Sequence, residues 1–169
     1  MKIKVLVAVL CVTLAFIGQG CGVYSFSGAS IPAEAKTVSV DYFPNHAQLV
    51  NPMLSNDFTN ALRDAMTNQT TLDMVESGGD IAFEGEIVDY RTTPVAITAG
   101  QTAAMNRLTV TVKVRFSNRF DESKDFEQSF SHYEDYPSEQ DLNAVQGGLT
   151  PVIIDALVED IFNKALVNW

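Results

Sequence analysis

From Leu108 to Phe116 every even-numbered residue is apolar and every odd-numbered one polar: Leu108, Val110, Val112, Val114 and Phe116 alternate with Thr109, Thr111, Lys113 and Arg115. Successive side chains of a strand point to opposite faces, so this run specifies a sheet with one face on a core and the other facing water. Such a sheet needs an apolar cover, and the chain supplies two amphipathic helices. In the first, Asn51 is the cap and Pro52 occupies the first turn. Leu54, Phe58, Ala61, Leu62, Ala65 and Met66 then recur at helical spacing. In the second, Thr150 is the cap, Pro151 takes the first turn and Leu149 staples against Ile154. Its buried stripe is Ile154, Leu157, Val158, Ile161, Ala165 and Leu166.

The remaining strands follow from shorter patterns. Thr37 to Phe43 alternates and is ended by Pro44-Asn45-His46. Leu72 to Val75 is a short strand candidate, and Ser77-Gly78-Gly79-Asp80 a turn. Ile81 to Tyr90 alternates over a longer strand whose inner face holds Ile81, Phe83, Gly85 and Ile87. A turn around Asp121-Glu122-Ser123 leads into an antiparallel return strand, Phe126 to Tyr136. Arg91 to Ala104 lacks periodicity, which suits either a long crossing loop or the ragged ends of two strands. The outline is α+β, with two amphipathic helices packed on one face of the sheet.

The first 21 residues concern address rather than fold. Lys2 and Lys4 form a basic start, Val5 to Ile17 is an apolar run, and Gly18-Gln19-Gly20-Cys21 resembles the cleavage box of a bacterial lipoprotein, with Gly18 where Leu, Ala or Val is usual. The run is too short for a membrane span. Residues 1–20 therefore read as a lipoprotein signal peptide, 21–35 as a lipidated tether and 36–169 as a single α+β domain. An acyl anchor on Cys21 would hold the domain to a membrane at about 0.8 kcal/mol per buried methylene. No aspartate follows Cys21, which favours the outer membrane.

Loss of Lys2 and Lys4 with that leader takes the formal charge from −10 to −12, which disfavours binding to nucleic acid. Cys11 leaves with the leader and Cys21 carries lipid, so no disulfide is available and packing must hold the domain together. No catalytic constellation emerges. His46 and His132 stand in no metal-ligand spacing, and no nucleophile elbow or phosphate-cradling loop occurs; Gly147-Gly148 reads as a turn. No metal or cofactor is implied, and Glu84 and Glu86 read as solvated or ion-paired carboxylates.

The outward face of the alternating strand lines up Arg107, Lys113, Arg115 and, if the strand continues, Arg119. In an acidic chain these four are candidates to bind phosphate or carboxylate groups through forked donors. The alternative is pairing across the sheet with Glu84, Glu86, Asp125 and Glu127.

Several segments, taken in order, resemble one family. They are Cys21 to Gly28, Gly85 to Tyr90, Asn106 to Val114 and Glu159 to Asn163, and they are similar to the LptE family of lipopolysaccharide-assembly lipoproteins in its Bacteroidetes form. The resemblance implies a fold of two helices on a mixed, roughly four-stranded sheet. It also implies an outer-membrane lipoprotein, facing the periplasm and barrel lumen, that plugs the β-barrel LptD, helps it assemble and assists lipopolysaccharide insertion. Arg107, Lys113, Arg115 and Arg119 would meet the lipid A phosphates by physical inference. Val95, Ala96 and Ile97 are candidate barrel contacts, unless a strand simply continues through them. Two other readings are a lipid-anchored periplasmic module for a small ligand, which needs an apolar pocket, and a lipid-anchored hydrolase, which needs His46, Glu84 or Glu86 in a cleft with a nucleophile.

Overall fold

In the computed structural model, residues 31–49, 51–95 and 104–167 are described. The leader, Cys21, most of the tether and the candidate contacts Ala96 and Ile97 lie outside the described residues. The elements run β1 (Thr37–Val40), α1 (Leu54–Gln69), β2 (Asp73–Val75), β3 (Ile81–Val95), β4 (Met105–Asn118), a 3-10 turn (Glu122–Lys124), β5 (Phe126–Pro137) and α2 (Leu142–Leu166). The sheet has five strands in the order β2-β1-β3-β4-β5. β1 pairs parallel with both β2 and β3, and β4 is antiparallel to β3 and to β5. The fifth strand, beyond the four implied by the resemblance, is the short β2.

The inner face of β4 is buried at every even position from Leu108 to Asn118, and only partly at Asn106. On that face Phe83 meets Phe116 at 5.1 Å between ring centroids, and Phe116 stacks on Phe126 at 5.2 Å. These are directly opposed residues on three adjacent strands, so the row clamps the sheet from below the helices. In β3 the register shifts between Ile87 and Asp89. The extra residue, Val88, is left half exposed, and Tyr90 regains the inner face, where it is buried. The strand pattern of β3 therefore breaks parity once without changing faces.

β3 continues to Val95 and β4 begins at Met105, its register partner. The segment from Arg91 thus consists, as far as it is described, of two strand ends rather than a crossing loop.

α1 buries Leu54, Phe58, Leu62, Ala65 and Met66 of the stripe anticipated from spacing, and its sixth member, Ala61, is partly buried against the core. The cap position is Met53, which makes no side-chain cap bond, so the cap expected at Asn51 is corrected; Asn51 Oδ1 instead accepts from Met53 N at 3.1 Å and closes the turn, containing Pro52, that enters the helix. Beyond the apolar stripe, Thr59 is buried and its Oγ1 accepts from Phe43 N at 3.1 Å. Arg63 donates through Nε and Nη2 to the Val40 carbonyl at 3.1 and 2.8 Å. These bonds tie the helix to the end of β1 and to the chain just beyond it.

α2 departs from the sequence reading. It starts at Leu142, with Asp141 as its cap accepting from Asn143 N at 2.8 Å, and so includes Gly147, Gly148 and Pro151. The turn expected at Gly147-Gly148 and the cap expected at Thr150 are corrected accordingly. Proline within a helix removes one backbone bond and crowds the carbonyl four residues back, at a cost of about 3 kcal/mol. The crowded carbonyl here belongs to Gly147. The stripe from Ile154 to Leu166 is buried as anticipated, joined by Ile153 and Phe162.

A paired charge lattice on the open sheet face

The outward face of the sheet is built from odd residues of β4 and the residues opposite them. Glu84 and Glu127 both lie directly across from Arg115, on β3 and β5 respectively; Glu86 lies across from Lys113, and Asp135 across from Arg107. Alternation within three antiparallel strands is what brings carboxylates and cations from distant parts of the chain into rows.

Arg115 Nη1 is 3.4 Å from Glu84 Oε2, and its Nε is 3.8 Å from Glu127 Oε2. Lys113 Nζ pairs with Glu127 Oε1. The ion pair holds the Glu127 carboxyl below the usual range and the Lys113 ammonium above its own. His46 Nδ1 lies 2.7 Å from Glu86 Oε2, which pins the chain leaving β1 beside β3. Pro44, Gly85, Glu84, Glu86, Lys113, Arg115 and Glu127 line a hollow of about 240 Å³. It carries three carboxylates and two cations.

Arg107 is engaged differently. Its Nε and Nη2 donate to Asp135 Oδ1 and Oδ2 at 2.7 and 2.9 Å, and its guanidinium lies 3.6 Å from the centroid of the Tyr133 ring. The forked bond depresses the Asp135 carboxyl and raises the guanidinium. Arg119, at the far end, is 3.8 Å from Asp80 Oδ1. Eight residues of strand separate Arg107 from Arg115, about 27 Å at strand rise. The four cations therefore do not form one site: Lys113 and Arg115 share the hollow, and Arg107 and Arg119 stand at either end with partners of their own. Val95, the one described member of the proposed barrel contacts, sits at the tip of β3.

Sequence reasoning missed Asp80. The connection from β2 to β3 crosses β1, where Gly79 N donates to Ser39 Oγ at 3.1 Å. Asp80 Oδ2 then accepts from Lys36 N, Thr37 N and Thr37 Oγ1 at 3.0–3.1 Å. The bond from the Lys36 backbone, then that from the Thr37 hydroxyl, hold its carboxyl below the usual range. These partners lie more than 40 residues away in sequence, so no local spacing announces them.

Among the described residues no group of histidine, cysteine and acidic side chains could hold a metal ion, and no helix is long and apolar enough to cross a membrane.

The fold is similar to solved structures at low identity. A minor lipoprotein from Acinetobacter baumannii is 15% identical, with 77% of this chain and 91% of that one covered and a TM-score of 0.50. The hypothetical protein CT253 from Chlamydia trachomatis is 10% identical, with coverages of 75% and 93% and a TM-score of 0.54. No curated protein matches the chain. The model of the LptE lipopolysaccharide-assembly family matches residues 35–165, nearly the whole described domain, and the chain belongs to that family.

Proposed function

We propose that this protein is an outer-membrane lipoprotein, anchored by acyl chains on Cys21, that plugs the LptD barrel, helps it assemble and assists insertion of lipopolysaccharide into the outer leaflet. The observation that carries this reading is the family match over residues 35–165. The geometry supports it in one respect: the open sheet face is polar and its cations are ion-paired, a surface that a wet barrel lumen accommodates. Val95, Ala96 and Ile97, at and beyond the tip of β3, are the proposed contacts with the barrel wall. The protein supplies binding and positioning rather than catalysis.

For lipopolysaccharide itself, Lys113 and Arg115 are the proposed phosphate contacts. Their ion pairs are largely exposed, with side-chain exposures of 45% and 64%, and such pairs contribute only about 0–1 kcal/mol. A multiply charged phosphate can therefore take the cations over from Glu84 and Glu127 at low cost. Arg107 has more to lose, since a forked bond and an aromatic stack hold it, and Arg119 stands apart as a single contact. Binding of purified lipopolysaccharide to the wild type and to the Lys113→Glu/Arg115→Glu variant tests this assignment. Loss of two charge-assisted contacts should weaken binding about tenfold or more. Equal affinities would remove the hollow from the proposal.

A further inference from the structure

The helix α2 carries two sets of start signals, and only one is in use. Asp141 caps the long form seen here. Nine residues on, Leu149-Thr150-Pro151 supplies the staple, the cap and the first-turn proline of a shorter helix. Three observations mark the junction between them as poorly matched to continuous helix. Pro151 cannot donate to the Gly147 carbonyl. Gly147 and Gly148 are the weakest non-proline helix formers, with nothing within 4 Å of where a Cβ would stand. Thr150 Oγ1 is buried and has no hydrogen-bond partner among the described residues. In the shorter helix that hydroxyl would accept from the backbone two or three residues ahead, which is the bond it lacks in the longer one.

What holds the first turns down is slight. Leu142, Val145 and Leu149 are only partly buried against the core, and Gln146 Oε1 accepts from Tyr90 OH at 3.0 Å. From Ile153 onward, by contrast, the helix inserts Ile153, Leu157 and Ile161 fully.

We propose that Leu142–Leu149 is a detachable strap: it unwinds as a unit to leave a helix starting at Thr150, and its release uncovers the inner-face end of the sheet around Tyr90. Beside Tyr90 on that face are Val110, its register partner, and Leu108, two residues back along β4, both buried. The strap belongs to the fold itself and does not depend on the barrel partner.

Hydrogen exchange on the full chain tests it. Backbone amides of Gln146–Thr150 should exchange at least about tenfold faster than those of Leu157–Ile161, as separate opening units do. Pro151→Ala, which restores the bond to Gly147, and Thr150→Val, which removes both the orphan hydroxyl and the alternative cap, should each slow the first group selectively. Equal protection of the two groups in the wild type would overturn the proposal. So would variants that slow both groups to the same extent.

Discussion

Gly85 sets how closely Phe43 can lie on the sheet. A Cβ there would stand 2.1 Å from the Lys113 carbonyl oxygen and 2.5 Å from Phe43 Cε1. Gly79 is as tightly confined where it crosses β1, with Ser39 N at 2.5 Å and Ile81 O at 2.7 Å. Backbone atoms cannot step aside as a flexible side chain can. Gly85→Ala and Gly79→Ala should each therefore cost about 3 kcal/mol, the upper end of overpacking costs. Gly78 has open space but a φ of +67°, so Gly78→Ala should cost only about 1–2 kcal/mol. Urea denaturation of the three variants checks the order, and a Gly78 variant at least as damaged as the others would contradict it. Asp80 matters at the same scale through charge. Its carboxyl, like those of Glu127 and Asp135, is held below its ordinary value. A depressed carboxyl stabilises the fold fully above its unfolded pKa, near 4, and the contribution fades as pH falls through the folded value, where the unfolded chain binds more protons. Stability should thus hold from pH 7 to about 5 and fall below about 4. Asp80→Asn should flatten that fall in thermal melts; an unchanged acid limb would show that the three bonds at Asp80 carry no linkage.

At the scale of elements, legibility followed periodicity. β4 could be read because its alternation is unbroken from Leu108 to Phe116, and every inner residue it named is buried. The stripes of α1 and of the later turns of α2 were readable for the same reason. β3 was readable only as far as Tyr90, because the register shift at Val88 and the small and β-branched residues beyond Arg91 erase the period while the pairing with β4 continues. The first turns of α2 were hidden by a stronger local signal, since Thr150-Pro151 is a better helix start than Asp141 followed by a Gly-Gly pair. The Asp141 cap and one hydrogen bond from Tyr90 to Gln146, not propensity, support the extension. Asp141→Ala removes the cap of that extension alone. It should accelerate exchange of Gln146–Thr150 while leaving the free energy of global unfolding within about 0.5 kcal/mol of wild type, less than the usual cost of about 1 kcal/mol for a lost cap. A full cap penalty in global stability would mean that the helix melts as one piece. The candidate site was legible by half: the rows of Lys113, Arg115 and Arg107 follow from strand parity, but their partners follow from register, and register is set by the whole sheet.

For the molecule as a whole, one sheet face is given to the two helices and the other to a lattice of paired charge. The full chain carries a formal charge of −10, and among the described residues Arg91, Arg107, Lys113, Arg115, Arg119 and Lys124 all stand in ion pairs. That arrangement suits a protein surrounded by a polar wall more than one that seeks an anionic polymer. Membership of the LptE family makes the wall, in our proposal, that of LptD. The most direct measurement is mild detergent extraction of the tagged full-length protein from its native envelope, with the bound proteins identified and quantified by mass spectrometry. The account predicts one large outer-membrane β-barrel at close to equal stoichiometry. Recovery of the lipoprotein alone, or with only a small molecule bound, would contradict it.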